Sequence, residues 1–140
     1  MSGIIGGAGS KSGVIGETEL DYEEGAWTPT SVGGSPAVEG VYVKIGNMVW
    51  VSGSFVFTTS GGGVFGALPF TPSNNGNAPQ LTAACHEIDM STTVGSLTMY
   101  ISPNNPAFSM YQSLDNASWT NSIGTANNDQ IKFSGVYRTA

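Results

Sequence analysis

Gly40-Val-Tyr-Val-Lys-Ile-Gly-Asn-Met-Val-Trp-Val-Ser-Gly-Ser-Phe-Val-Phe57 decides the fold. It reads as a β-hairpin with its tight turn at Ile45-Gly46-Asn47, because Gly and Asn both tolerate the positive φ that strand-matched hairpin turns require. Beyond the turn the side chains alternate: Val49, Val51, Phe55 and Phe57 fall on one face, and Met48, Trp50, Ser52, Ser54 and Val56 on the other. The first set makes an ordinary core face. The second carries Met48 and Trp50, more apolar area than a solvated face normally shows, so a second layer or a partner chain is expected over it.

Outward from the hairpin, short apolar runs alternate with turn signals. Upstream, Trp27-Thr-Pro29 suggests an edge or entry strand, since Pro cannot donate to a ladder. The stretch 31–40, with Gly33-Gly34 and Pro36, reads as a loop. Downstream, Ser60-Gly-Gly-Gly63 breaks the chain before a short strand that begins at Val64 and ends in a Pro-constrained corner at Leu68-Pro69-Phe70. Further strands are expected over 81–90, 93–101, 108–114 and, more loosely, 116–123, with Gly95 marking a bulge. The last run, 130–138, sets Ile131, Phe133, Gly135 and Tyr137 opposite Lys132, Ser134 and Val136. About seven to nine short strands at even spacing predict an all-β fold, an antiparallel β-sandwich of jelly-roll-like type. The sandwich domain is placed at 22–140, after an extended N-terminal arm and acidic junction over 1–21.

Composition narrows the function classes. Of 140 residues only 10% are charged, against the usual quarter, and Gly numbers 20, which suits many short connections between strands. The formal charge is −6 and the cations are Lys11, Lys44, Lys132 and Arg138, so no basic footprint for nucleic acid is present and an anionic membrane surface would repel the chain. No apolar run approaches bilayer length, and the glycine-broken start at 1–9 does not read as a secretory leader. A single cysteine, Cys85, cannot form an internal disulfide and reads as a small buried hydrophobe.

Within the arm, Gly3-Ile-Ile-Gly6 recurs loosely as Gly13-Val-Ile-Gly16. Two apolar pairs among so many glycines cannot fold alone. Ile4, Ile5, Val14 and Ile15 are therefore read as anchors that order against another protein. The acids of 17–24 lack the spacing and central glycine of a calcium loop, and a solvated or salt-bridged junction accounts for them better.

Little in the chain promises chemistry. His86-Glu87-Ile88-Asp89 is the one cluster of catalytic residue types, but neighbours on a strand point to opposite faces, which separates Cys85 from His86. Glycan cleavage would need two carboxylates across a cleft, drawn from Glu39, Glu87, Asp89, Asp115 and Asp129. No catalytic residue, metal ligand or cofactor is expected. Trp27, Met48 and Trp50 are assigned to the core or to a subunit interface. Trp27, Trp50, Trp119, Tyr100, Tyr111 and Tyr137 include candidate sugar-stacking rings, and Tyr111 and Trp119 are the candidate ligand contacts, Trp119 because it lies in the polar run Leu114-Asp-Asn-Ala-Ser-Trp-Thr-Asn121.

Tyr22-Glu-Glu-Gly-Ala-Trp-Thr-Pro-Thr30, the hairpin Gly40-Val-Tyr-Val-Lys-Ile-Gly-Asn-Met-Val-Trp-Val-Ser-Gly53, Leu68-Pro-Phe70 and Phe133-Ser-Gly-Val-Tyr-Arg-Thr-Ala140 together resemble a module of tailed-phage virion proteins. That module recurs at the ends of tail fibres and in small structural proteins of marine and cyanobacterial phages. The opening 3–16 is similar to the N-terminal segment of such small proteins. The resemblance implies a β-sandwich, a homotrimer, a place in the virion after assembly in the host cytoplasm, and no catalysis. It also implies docking of the arm onto other virion proteins, as a tail or head fibre or appendage contacting a host surface glycan. Capsid decoration and a carbohydrate-binding module are the alternatives. No shaft or heptad repeat separates arm from domain, which argues against a full-length fibre.

Overall fold

The computed structural model describes residues 21–31, 37–58, 64–74, 79–86, 88, 94–114, 116–121 and 124–139. The arm anchors Ile4, Ile5, Val14 and Ile15 lie outside them. The described residues form nine strands in chain order: β1 (Tyr22–Trp27), β2 (Thr30–Ser31), β3 (Ala37–Ile45), β4 (Met48–Val56), β5 (Val64–Gly66), β6 (Gln80–His86), β7 (Val94–Ile101), β8 (Phe108–Leu114) and β9 (Gln130–Arg138). All pair antiparallel, in the order β1-β3-β4-β9-β6-β7-β8-β5-β2. The all-β antiparallel sandwich read from the sequence is the fold the structure shows.

β6 makes the corner of the sandwich. Its Thr82–His86 half pairs with β9, while Gln80 and Leu81 pair with β7. One curled ladder thereby becomes two facing sheets, a first of β1, β3, β4, β9 and β6 and a second of β6, β7, β8, β5 and β2. The edge strands β1 and β2 are consecutive in sequence, joined only through Thr28 and Pro29. Pro29 has no N–H to offer, which suits a link between two sheet edges.

The hairpin closes with Ile45 opposite Met48, and Gly46 takes a positive φ of 57°. Positive φ at the first central residue is the pattern of a type II′ turn, where Gly carries no steric cost. The turn is tied on both sides: Gly46 N–H donates to the Asp21 carbonyl at 2.7 Å, and Thr139 N–H to the Asn47 carbonyl at 2.9 Å.

Two expectations need correction. The 31–40 stretch is not all loop, since β3 already begins at Ala37 and pairs with Val56 of β4. The looser strand expected over 116–123 is absent from its described part, 116–121. Only a single bridge, Gln112 to Thr120, links this stretch to β8, and Asn116 sits at a left-handed φ of 56° that an extended strand excludes. By contrast the bulge at Gly95 is present, as a register shift between Val94 and Ser96.

The core is aromatic and draws on both sheets. Phe55 of β4 lies 4.5 Å from Phe65 of β5 and 5.5 Å from Phe133 of β9, ring centre to ring centre, and Phe65 stacks on Phe108 of β8 at 5.2 Å. Val49, Val51, Met99, Ile101, Met110 and Ile131 fill the space between them. Beside this cluster, Gly40 and Gly53 face each other across β3 and β4, flanked in the same row by Trp27 and Phe133. The two rings lie over the glycines and meet edge to face at 6.1 Å. An added Cβ would stand 2.5 Å from Trp27 Nε1 at Gly40 and 2.6 Å from Phe133 Cζ at Gly53. Glycine here is a matter of space.

Tyr137 locks the far end. Its buried hydroxyl donates to the Phe70 carbonyl at 3.1 Å and accepts from the Phe70 N–H at 3.2 Å. Burial pushes the phenol up to about 12, with the Phe70 bond opposing. Phe70 in turn meets Tyr42 edge to face at 5.3 Å, and the Lys44 ammonium stands 5.6 Å over its ring. Tyr137→Phe is expected to lower unfolding free energy by about 1–3 kcal/mol, because both backbone groups of Phe70 lose a partner. Urea unfolding checks this, and an unchanged midpoint would refute the lock.

Candidate functional site

Alternation along the central strands leaves the first sheet with an outward face that is apolar at one end. Successive cross-strand rows run Tyr22, Ile45, Met48, Arg138; then Glu24, Val43, Trp50, Val136; then Ala26, Val41, Ser52, Ser134, Thr82; then Glu39, Ser54, Lys132, Ala84. Trp50 is 41% exposed and Met48 44%, and Tyr22, Val41, Ile45 and Val136 are exposed to a similar degree. Every large exposed hydrophobic of the described residues except Trp119 stands on this face. The tall side chains of the first two rows form a ridge. Beside it the small side chains leave an open hollow of about 520 Å³ floored by Ser52, Ser54, Ser134, Thr82 and Ala84 and bounded by Glu39 and Lys132.

Trp27, Met48 and Trp50 thus part company. Trp27 belongs to the core, its indole N–H donating to the Val41 carbonyl at 3.3 Å. Met48 and Trp50 are not core residues of a single chain. The residues that enlarge their face, Val41, Val43 and Ile45, were within reach of sequence reasoning, because the turn fixes which β3 residues stand beside them. Tyr22 and Val136 were not, since nothing local says that β1 and β9 complete the sheet.

The acids that open the domain are engaged at the end of the sandwich, not gathered around a cation site. Asp21 pairs with Lys44. Glu23 accepts from the Tyr42 hydroxyl at 2.7 Å and Glu24 from the Tyr22 hydroxyl at 2.5 Å. Those bonds, ahead of burial and charge, raise both phenols above their usual range.

The second sheet carries a different outer face. With Met99, Ile101, Phe108, Met110 and Gln112 turned inward, Thr98 and Tyr100 of β7 and Ser109, Tyr111 and Ser113 of β8 face out. Tyr100 meets Tyr111 edge to face at 5.8 Å, and Tyr111 meets Trp119 at 6.3 Å with the rings 52° apart. Trp119 is held there by two backbone bonds between Gln112 and Thr120, of 2.9 and 3.2 Å. The structure therefore brings the two candidate ligand contacts together and adds Tyr100 to them. Ser96 and Ser113 share a hydroxyl bond of 3.0 Å beside the strip.

Among the described residues the residue types of catalysis are dispersed. Along β6 exposure alternates, so that half-buried Cys85 packs against the core and His86 points out. Burial pushes the Cys85 thiol up to about 11, far from a thiolate at neutral pH. Asp129 is buried in the turn before β9, where a carboxylate oxygen accepts from Ala126 N–H at 2.6 Å, whereas Glu39 is exposed on β3. Glu87, Asp89 and Asp115 lie outside the described residues. Among the described residues no three His, Cys, Asp or Glu side chains gather as a metal site would require.

Scans of protein-family models, of curated proteins and of solved structures returned no match.

Proposed function

We propose that this chain is a non-enzymatic structural protein of a tailed-phage particle, and that it assembles with copies of itself through the outer face of its first sheet. The phage setting rests on the sequence resemblance over 22–30, 40–53, 68–70 and 133–140, and on it rests the role of Ile4, Ile5, Val14 and Ile15 in docking to other virion chains. Assembly rests on a single observation, the apolar ridge and adjoining hollow on one flat face.

Three features of that face favour a second copy of this chain as its cover. Nine residues of β4 and five strands give about 30 by 24 Å, on the order of 700 Å² per copy, close to the ~800 Å² per partner of a specific interface. Opposite charges flank β4 in one row, Glu39 on β3 and Lys132 on β9, with Val43 and Val136 in corresponding places two rows on. A two-fold axis along β4 would set Glu39 of each copy against Lys132 of the other, and Val43 against Val136, so the face is complementary to itself.

Sedimentation equilibrium of the full chain beside Trp50→Lys tests this. The parent chain is expected to sediment as a multimer, two copies if the charge order governs and three as the resemblance implies. The variant is expected to sediment as a single chain that still unfolds cooperatively, its melting lowered only by the share that assembly contributes, since an unpaired charge inside the interface costs about 3–5 kcal/mol. A parent chain that stays single, or a variant that assembles as well as the parent, sinks the assembly reading. Absence of the chain from purified particles by mass spectrometry sinks the virion reading separately.

A further inference from the structure

We propose that the outer face of the second sheet is a binding site for a neutral polysaccharide, with Tyr100, Tyr111 and Trp119 as its stacking rings. This is independent of how the first sheet assembles, and it adds a recognition function to an assembling protein.

The chemistry of the face selects the ligand class. In a chain of net charge −6, the strands β2, β5, β7 and β8 contain no Asp, Glu, Lys or Arg. The described outward side chains of β7 and β8 are hydroxyls and aromatic rings alone. The described residues of this face carry no charge, so they offer a phosphate, a sulfate or a uronic acid no ion pair. Hydroxyls both donate and accept, which is the hydrogen-bonding character of sugar hydroxyls. Pyranose rings add apolar C–H faces, which lie on Tyr and Trp rings whose bodies are apolar and whose tips are polar.

The rings are also placed as a strip. Tyr100 and Tyr111 stand on neighbouring strands, and Trp119 extends the line from the segment beyond β8. The ring centres are 5.8 and 6.3 Å apart, so the three rings form one continuous aromatic patch. Trp119 is 54% exposed although Thr120 is bonded back to β8, so the segment is anchored while the indole is presented to solvent. A proline-rich peptide also stacks on aromatic rings, but its carbonyls only accept, and the hydroxyl pair of Ser96 and Ser113 answers better to a ligand that also donates.

Affinity electrophoresis of the full chain through gels containing dextran, yeast mannan or laminarin tests the site, with alginate and heparin as anionic probes and poly-L-proline as the peptide probe. At least one neutral polysaccharide is expected to retard the protein. Trp119→Ala is expected to weaken that binding tenfold or more, and Trp119→Phe to retain most of it. Since Trp119 is largely exposed, both variants are expected to melt as the parent does, and Tyr111→Ala gives a second reading at the strip's centre. Failure of every neutral gel to retard the parent, or retardation that survives both alanine variants, overturns the proposal. Preference for alginate or heparin would make the recognition ionic, and retention by poly-L-proline alone would make it a peptide site. Either result overturns it too.

Discussion

Phe55→Ala is expected to bring the protein close to unfolding at ordinary temperature. Phe55 has no exposed surface, and its ring contacts Phe65 and Phe108 of the second sheet, Phe133 of the first and Phe57 just past the end of β4. Truncating such a residue removes transfer free energy and leaves a cavity, together about 3–5 kcal/mol. The surrounding rings cannot close the gap, because each is itself held by a further ring, as Phe65 is by Phe108. Against a total stability of about 5–15 kcal/mol this is a large share. A fall in melting temperature of about 10–20 °C is expected by calorimetry. A loss under about 1 kcal/mol would mean that the two sheets do not meet on this ring.

Gly40→Val ranks second. The added Cβ would sit 2.5 Å from Trp27 Nε1 and 2.7 Å from Cε2, closer than real atoms approach. Trp27 cannot swing aside: its indole is bonded to the Val41 carbonyl, and its ring meets Phe108 at 6.4 Å and Phe133 at 6.1 Å. Overpacking of a closed site costs about 1–3 kcal/mol, and with two further methyl groups the expected cost is about 3 kcal/mol or more. The discriminating measurement is a double-mutant cycle with Trp27→Leu. If the ring is the obstacle, the second substitution relieves a good part of the first. Additive losses would place the cause in the backbone.

What could be read from the chain was local in character. The hairpin, its glycine turn, the inward set from Val49 to Phe57 and the break at Gly95 follow from alternation and from which residues tolerate which backbone angles. The same alternation exposed the oddity of Met48 and Trp50 on a face that ought to be polar. Pairings between distant strands were not legible. That β9 inserts between β4 and β6, or that β6 belongs to both sheets, depends on how the whole core closes, and no short segment carries a signal for it. Trp27 shows the same limit, since its ring covers Gly40 only because β1 pairs with β3 in one register. Tyr111 and Trp119 were each recognisable as candidate contacts, but their meeting depends on the Gln112–Thr120 bridge, which polar residues around Asn116 do not announce.

The position of β9 sets the order in which the protein can come into being. It is the last of the described strands to leave the ribosome, yet it is the plank between β4 and β6. A nascent chain that has emerged only through β8 contains the partners of two separate sheets, β1-β3-β4 on one side and β6-β7-β8-β5-β2 on the other, with no ladder between them. β4 and β6 then each present an unpaired edge, the state in which strands recruit strangers. Each group can pair within itself, but the ladder that joins them waits for β9. Until β9 arrives both edges stay open to other chains, and its insertion closes the two together.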